Sequence, residues 1–102
     1  MVMKTNIESK DGATIVRVEG RIDTASSVQA EKDFSVLYET EDNEIVFDCT
    51  DLEYISSSGL RLFLALLRWA RPQGKHVYFT NMNDYLQEVF TMTGFTSLFE
   101  FK

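Results

Sequence analysis

The segment from Ile45 to Ala70, IVFDCTDLEYISSSGLRLFLALLRWA, leaves few folds open to this chain. Ile45-Val46-Phe47, ending in Asp48, has the length and composition of a strand buried on both faces of a sheet. Gly59 to Ala70 is too long for a typical strand and is rich in Leu, Arg and Ala, which favour helix. After the breaker Pro72-Gln73-Gly74, Lys75 to Thr80 reads as another strand. Two strands joined by a crossover helix lie parallel in one sheet with a right-handed connection. The strand Ile45 to Asp48 is therefore expected at the centre of the sheet, with helical cover.

Where the chain turns into the helix stands Ser56-Ser57-Ser58-Gly59. Hydroxyls at such a place accept from the first free backbone N–H groups, and those groups together with the helix dipole also suit a phosphate. The plain structural reading is an N-cap. A cap uses one hydroxyl, whereas here are three, next to a Gly that permits close approach of another backbone.

On the N-terminal side, Val2 to Ser9 and Ala13 to Glu19 flank Asp11-Gly12, a hairpin signal. Thr14, Val16 and Val18 alternate with Ile15 and Arg17, so one side faces the core. Gly20-Arg21-Ile22-Asp23 is expected to leave the sheet, and Asp23 or Thr24 to cap a helix running to about Glu39. Its buried stripe would be Ala30, Phe34, Leu37 and Tyr38, with Gln29, Lys32 and Asp33 in water. Glu41 to Glu44 reads as a solvated acidic turn. Beyond Thr80, Asn81 or Asn83 caps a last helix with Leu86, Val89, Phe90 and Thr93 on one face, and Gly94 ends it. The apolar tail from Phe95 to Lys102 should pack as a short turn and edge strand.

At 102 residues the chain suits one domain with one core. A net charge of −6, without any basic run, argues against direct DNA or RNA binding and points to proteins or neutral ligands as partners. Cys49 alone cannot form an internal disulfide and reads as a small buried hydrophobe. Met1 to Lys10 is polar, without a signal peptide, and no apolar run reaches membrane-spanning length, so a cytoplasmic location is expected. Gly74-Lys75 lacks Walker spacing, so no nucleotide or other cofactor is expected.

Plotted as a helix, Leu60, Phe63, Leu64 and Leu67 cluster on one side, while Leu62 and Trp69 point nearly away from it. With Arg61, Ala65 and Arg68 they make a face of Arg and aromatic character, the composition of binding hot spots. The bland alternative is scattered exposed apolar groups, with Leu62 against a neighbouring helix.

Asp48, Leu52, Tyr54-Ile55, Ser57, Gly59-Leu60 and Arg61 together resemble the signature of the STAS domain, the family of bacterial anti-sigma factor antagonists. Gly20-Arg21-Ile22-Asp23 resembles the family's G-R-(L/I)-D segment, and Thr93-Gly94-Phe95 its T-G-(L/F) ending. The resemblance spans nearly all of residues 1–102 and implies an α/β fold: a single STAS-like domain, a mixed β-sheet with helices packed mainly on one side. It also implies that Ser57 is the residue a partner kinase phosphorylates. Ser56 stands where the family often has Asp, so Ser56 and Ser58 remain alternatives beside the cap reading. Asp23 either caps its helix or serves the serine loop, and Asp48 either repels an added phosphate with Asp23 or fixes the turn.

The implied function is partner switching. The unphosphorylated protein captures an anti-sigma factor with serine kinase activity, and phosphorylation of Ser57 releases it, so transcription is regulated indirectly. The alternative is a STAS subunit docking in a transporter or signalling assembly without phosphorylation. A serine hydrolase is disfavoured, because the only histidine, His76, lies in a strand and Gly-x-Ser-x-Gly is absent.

Overall fold

Alternation in the N-terminal arms produces the hairpin that starts the fold. β1 (Met3–Lys10) and β2 (Ala13–Ile22) pair antiparallel, from Met3↔Gly20 to Lys10↔Ala13. Asp11 and Gly12 take φ of 53° and 81°, positive values at both turn positions that match the strands' twist. The computed structural model describes residues 3–102, so Val2, expected in the first arm, lies outside the described residues.

The next elements are α1 (Ser26–Phe34), β3 (Glu44–Asp48), β4 (Leu52–Ile55), α2 (Ser57–Ala70), β5 (His76–Thr80), α3 (Asp84–Met92) and β6 (Glu100–Phe101). The sheet runs β1-β2-β3-β5-β6, with β3 central and parallel to β2 and β5. The short β6 pairs parallel to β5 at the edge, as the apolar tail suggested. Alternate positions Val16, Val18, Ile45, Phe47, Val77 and Phe79 are fully buried on one face. Over that face the three helices meet through aromatic rings: Phe34 of α1 is 5.4 Å from Phe47, Phe63 of α2 is 4.7 Å from it, and Phe90 of α3 is 5.0 Å from Phe79. Each such pair adds about 0.5–1.5 kcal/mol beyond its area burial.

Among the described residues no helix covers the opposite face. In register across it lie Ile15, Val46 and Tyr78, bordered by charges. Arg17 reaches Glu8 at 3.2 Å and Asp48 at 3.5 Å, and Lys102 reaches Glu44 at 3.2 Å while standing 4.5 Å over the Tyr78 ring. Long cationic side chains thus shield an apolar row while keeping their charged ends in water.

Several expectations need correction. β4 was not foreseen. It pairs parallel with β2 at residues 20–22, so Gly20-Arg21-Ile22 stays in the sheet and only Asp23 leaves it. Gly20 already pairs with Met3, so β4 occupies β2's other edge, the edge that β3 uses further back. The helix to Glu39 is α-helical only to Phe34 and continues as a 3-10 turn, Ser35–Glu39. Three residues per turn keep Leu37 beneath Phe34 and rotate Tyr38 outward, to 39% exposure. Asp33 is half-buried and accepts from Gln29. Thr93 is exposed beyond the end of α3, whose cap is Asn83, accepting from the Leu86 N–H at 2.8 Å.

The acidic run is not merely solvated. Asp42 accepts from the Ser9 and Thr14 hydroxyls at 2.7 and 2.8 Å, and its carbonyl accepts from Lys75. The Ser9 bond first, then the Thr14 bond, holds its carboxyl below the usual range. This clamp ties the hairpin to the starts of β3 and β5.

Candidate functional site

The serine loop sits where β4 ends. The Ser56 N–H donates to the Ile22 carbonyl at 2.8 Å, continuing the β2–β4 ladder by one step. Ser56 is extended, with φ −90° and ψ 170°, and its Oγ accepts from the Gly59 N–H at 3.2 Å. Ser56 is therefore the N-cap. Ser57 is the first residue of α2 and is exposed, and Ser58 is half-buried. Capping thus occupies Ser56 and leaves the Ser57 hydroxyl open to solvent beside the first N–H groups of the helix.

Gly59 fixes how closely this helix end approaches the sheet. A methyl group on it would stand 2.8 Å from Ile22 Cγ2 and 2.9 Å from Ile55 Cγ1, inside van der Waals contact. Its role is close packing, but against the Ile22 and Ile55 side chains and not against another backbone.

The two carboxylates expected beside the loop part company. Asp23 follows Ile22 and so stands next to the serine loop, where it also caps α1. Its Oδ1 accepts from the Ser26 N–H at 2.8 Å, and Ser26 Oγ accepts from the Asp23 N–H at 2.9 Å, a reciprocal capping box. The bonds from the Ser26 N–H and hydroxyl hold the Asp23 carboxyl below its ordinary range. Asp48 is elsewhere. It is in register with Arg17, five positions before Ile22 on β2, which at the strand rise is roughly 16 Å from the loop's anchor. The interposed β4 causes the separation. Asp48 instead fixes the turn after β3, accepting from Thr50 Oγ1 at 2.6 Å and Asn81 Nδ2 at 3.1 Å. Burial pushes its carboxyl up, but the bonds from Thr50 and Asn81 and the charge of Arg17 outweigh this and leave it lowered.

Along α2 the expected inward set also shifts. Leu60, Phe63, Leu66, Leu67 and Ala70 are buried, whereas Leu64 is only half-buried. Leu62 and Trp69 do not stand outside: both are half-buried against the core. Trp69 lies edge-on to Tyr38, with ring centroids 5.2 Å apart, and Lys75 Nζ is 5.9 Å from its ring. The missing partner was Tyr38, turned outward by the 3-10 segment. Arg61, Ala65 and Arg68 are exposed, and α2 carries no acidic residue.

A cluster not singled out from the sequence borders the loop on its other side. Arg21 stands 4.4 Å over the Tyr54 ring, and Tyr54 stacks on Tyr85 of α3 at 5.9 Å and 18°. Tyr85 Oη is 3.5 Å from the Ile55 carbonyl, and Asn83 Nδ2 donates to the Leu52 carbonyl, so the start of α3 covers the outer edge of β4. Only the pairing of β2 with β4 brings these residues together.

His76 pairs with Glu44 at the opening of the parallel strands, while Ser57 lies past their far end, and His76 Nδ1 contacts Glu100 at 2.7 Å. No histidine serves Ser57. Burial, then the Asp48 charge, pushes the Cys49 thiol up to about 12, so it stays protonated. Among the described residues no group of His, Cys, Asp or Glu is arranged to hold a metal ion, and no helix is long and apolar enough to cross a membrane.

The sequence model of the STAS domain matches residues 4–102. The chain belongs to the STAS domain family. This STAS domain is similar to the Bordetella bronchiseptica protein named anti-sigma factor antagonist BtrV, with 29% identity over 95% of this chain and 84% of that one. In fold it resembles the crystal structure of an anti-sigma factor antagonist from Mycobacterium paratuberculosis, at 20% identity, with a TM-score of 0.87 over 97% of this chain and 84% of the other. It also resembles the Bacillus cell fate determinant SpoIIAA in its phosphorylated form, at 18% identity, with a TM-score of 0.72 over 97% and 91% of the two chains.

Proposed function

We propose that this STAS domain is a cytoplasmic anti-sigma factor antagonist that works by partner switching. Unphosphorylated, it captures an anti-sigma factor with serine kinase activity; phosphorylation at Ser57 releases it. Transcription is thereby regulated indirectly, without contact with nucleic acid. The observation that carries this reading is the exposed Ser57 hydroxyl at the first position of α2, left open because Ser56 takes the cap. The relatives' names and the phosphorylated state of SpoIIAA support it.

The contact surface is the serine loop with the exposed side of α2. Arg61, Ala65 and Arg68 are free to touch a partner, and the half-buried Leu62 and Trp69 offer only their outer edges. A phosphate adds about −1.5 to −2 charges at neutral pH. At a helix N-terminus these charges are tolerated by the fold. In the complex they are desolvated and set against Asp23, and the partner is expelled. Asp48 takes no part in this repulsion.

The test is a pull-down with tagged protein, identification of the retained kinase, and its titration against Ser57→Ala and Ser57→Asp. Ser57→Ala is expected to bind constitutively and take up no phosphate, while Ser57→Asp binds weakly with its melting temperature nearly unchanged. Equal affinities for the two, or undiminished phosphate uptake by Ser57→Ala, refute the assignment.

A further inference from the structure

The stack of Arg21, Tyr54 and Tyr85 lies outside the buried core, at the β2–β4 pair that leads into the serine loop. Arg21 projects from β2, where it is in register with Tyr54; the next pair, Ile22 and Ile55, carries the loop. Its guanidinium face is taken by the Tyr54 ring, and Tyr54 rests in turn on Tyr85, which is 39% exposed. Among the described residues Arg21 has no carboxylate within 4.0 Å, whereas Arg17 and Lys102 on the uncovered sheet face are both paired. In a chain of net charge −6, an exposed guanidinium stacked on the Tyr54 ring, itself backed by Tyr85, presents a fork suited to a carboxylate. Arg and Tyr are also the residue types that carry most interface energy.

We infer that Arg21, held on Tyr54 and Tyr85, receives a carboxylate side chain of the same kinase that reads the serine loop. The inference rests on the partner-switching reading and adds a second contact, so that the kinase straddles the loop between this stack and α2. Pre-stacking lowers the entropy lost when the contact forms.

The test uses the purified kinase and the unphosphorylated 102-residue chain, with melting curves to establish that each variant is folded. Arg21→Ala is expected to weaken binding by about tenfold or more, and Arg21→Glu further, as hot-spot truncation and charge reversal do. Arg21→Lys keeps the charge but loses the planar fork, and should fall between wild type and Arg21→Ala. Tyr85→Ala should weaken binding less than Arg21→Ala. These losses should be the same with nucleotide-free and ADP-loaded kinase and should shrink at raised salt. A loss seen only with ADP bound would assign the fork to the nucleotide phosphate, and one seen only after Ser57 phosphorylation would assign it to the chain's own phosphate; either overturns the inference. So does Arg21→Ala binding within about twofold of wild type, short of a hot-spot contribution. If Ser57→Asp still loses affinity in that case, partner switching stands and only the Arg21 contact falls; if neither variant changes affinity, the switching reading has failed as well.

Discussion

The first turn of α2 and its outward side obey opposite rules. At Gly59 the helix backbone lies so close to Ile22 and Ile55 that one methyl group does not fit. Along Arg61, Ala65 and Arg68 the same helix is exposed. The difference separates two tasks: close packing fixes where Ser57 stands, while the adjoining face can be tuned for a partner without disturbing the fold. Trp69 lies between these extremes, exposed on one edge and packed on Tyr38 by the other.

Four substitutions test that division. Gly59→Ala is expected to have the largest effect, destabilising by about 1–3 kcal/mol through overpacking against two β-branched side chains. Because the helix end must shift, binding to the proposed kinase partner should fall with it; denaturant melts and a binding titration measure the two together. An unchanged melt would mean that the first turn is not tightly fixed. Trp69→Ala should destabilise by about 1–2 kcal/mol, the share of a half-buried aromatic. A melt within error of wild type would return Trp69 to the exposed side of the comparison.

Asp23→Asn tests whether the cap beside the loop acts through its charge. The native carboxyl titrates below its ordinary value of 3.8, so its stabilisation is complete above that value and is lost as pH falls through the lowered native one. Wild type should therefore melt somewhat higher than Asp23→Asn at neutral pH, with the gap closing in acid. A gap that does not depend on pH would refute the charge argument. Arg61→Ala should have the smallest structural effect, within about 0.5 kcal/mol of wild-type stability. It should nonetheless weaken binding to the proposed kinase partner. A loss of stability instead would show that the outward side is part of the packing.

The apolar run of β3, the breaker after α2 and the serine cluster before α2 made the α/β order and a helix start at those serines legible from local pattern, while the STAS resemblance singled out Ser57 among them. Asp23 was legible as a cap for the same reason, since its partner Ser26 is three residues away. β4 was not. Its four residues, Leu52–Ile55, form no periodic pattern of their own and are a strand only because β2 runs past the end of β3 and offers them an edge. That one pairing leaves Asp48 with Arg17, away from the loop, and brings Arg21 onto Tyr54. The half-burial of Trp69 has a separate cause: a change from α to 3-10 geometry at Ser35 that turns Tyr38 toward it.

The sequence by itself determined the spacings that send Val16, Phe34, Phe63 and Phe90 inward and put Ser57 at the start of α2, because burial and capping depend on residues within one or two turns. Tertiary structure alone decided which charges stand beside that serine. Neighbourhood across a sheet depends on strand length and register, and β2, continuing to Ile22, keeps Asp23 at the loop, carries Arg21 to Tyr54 and leaves Asp48 behind with Arg17.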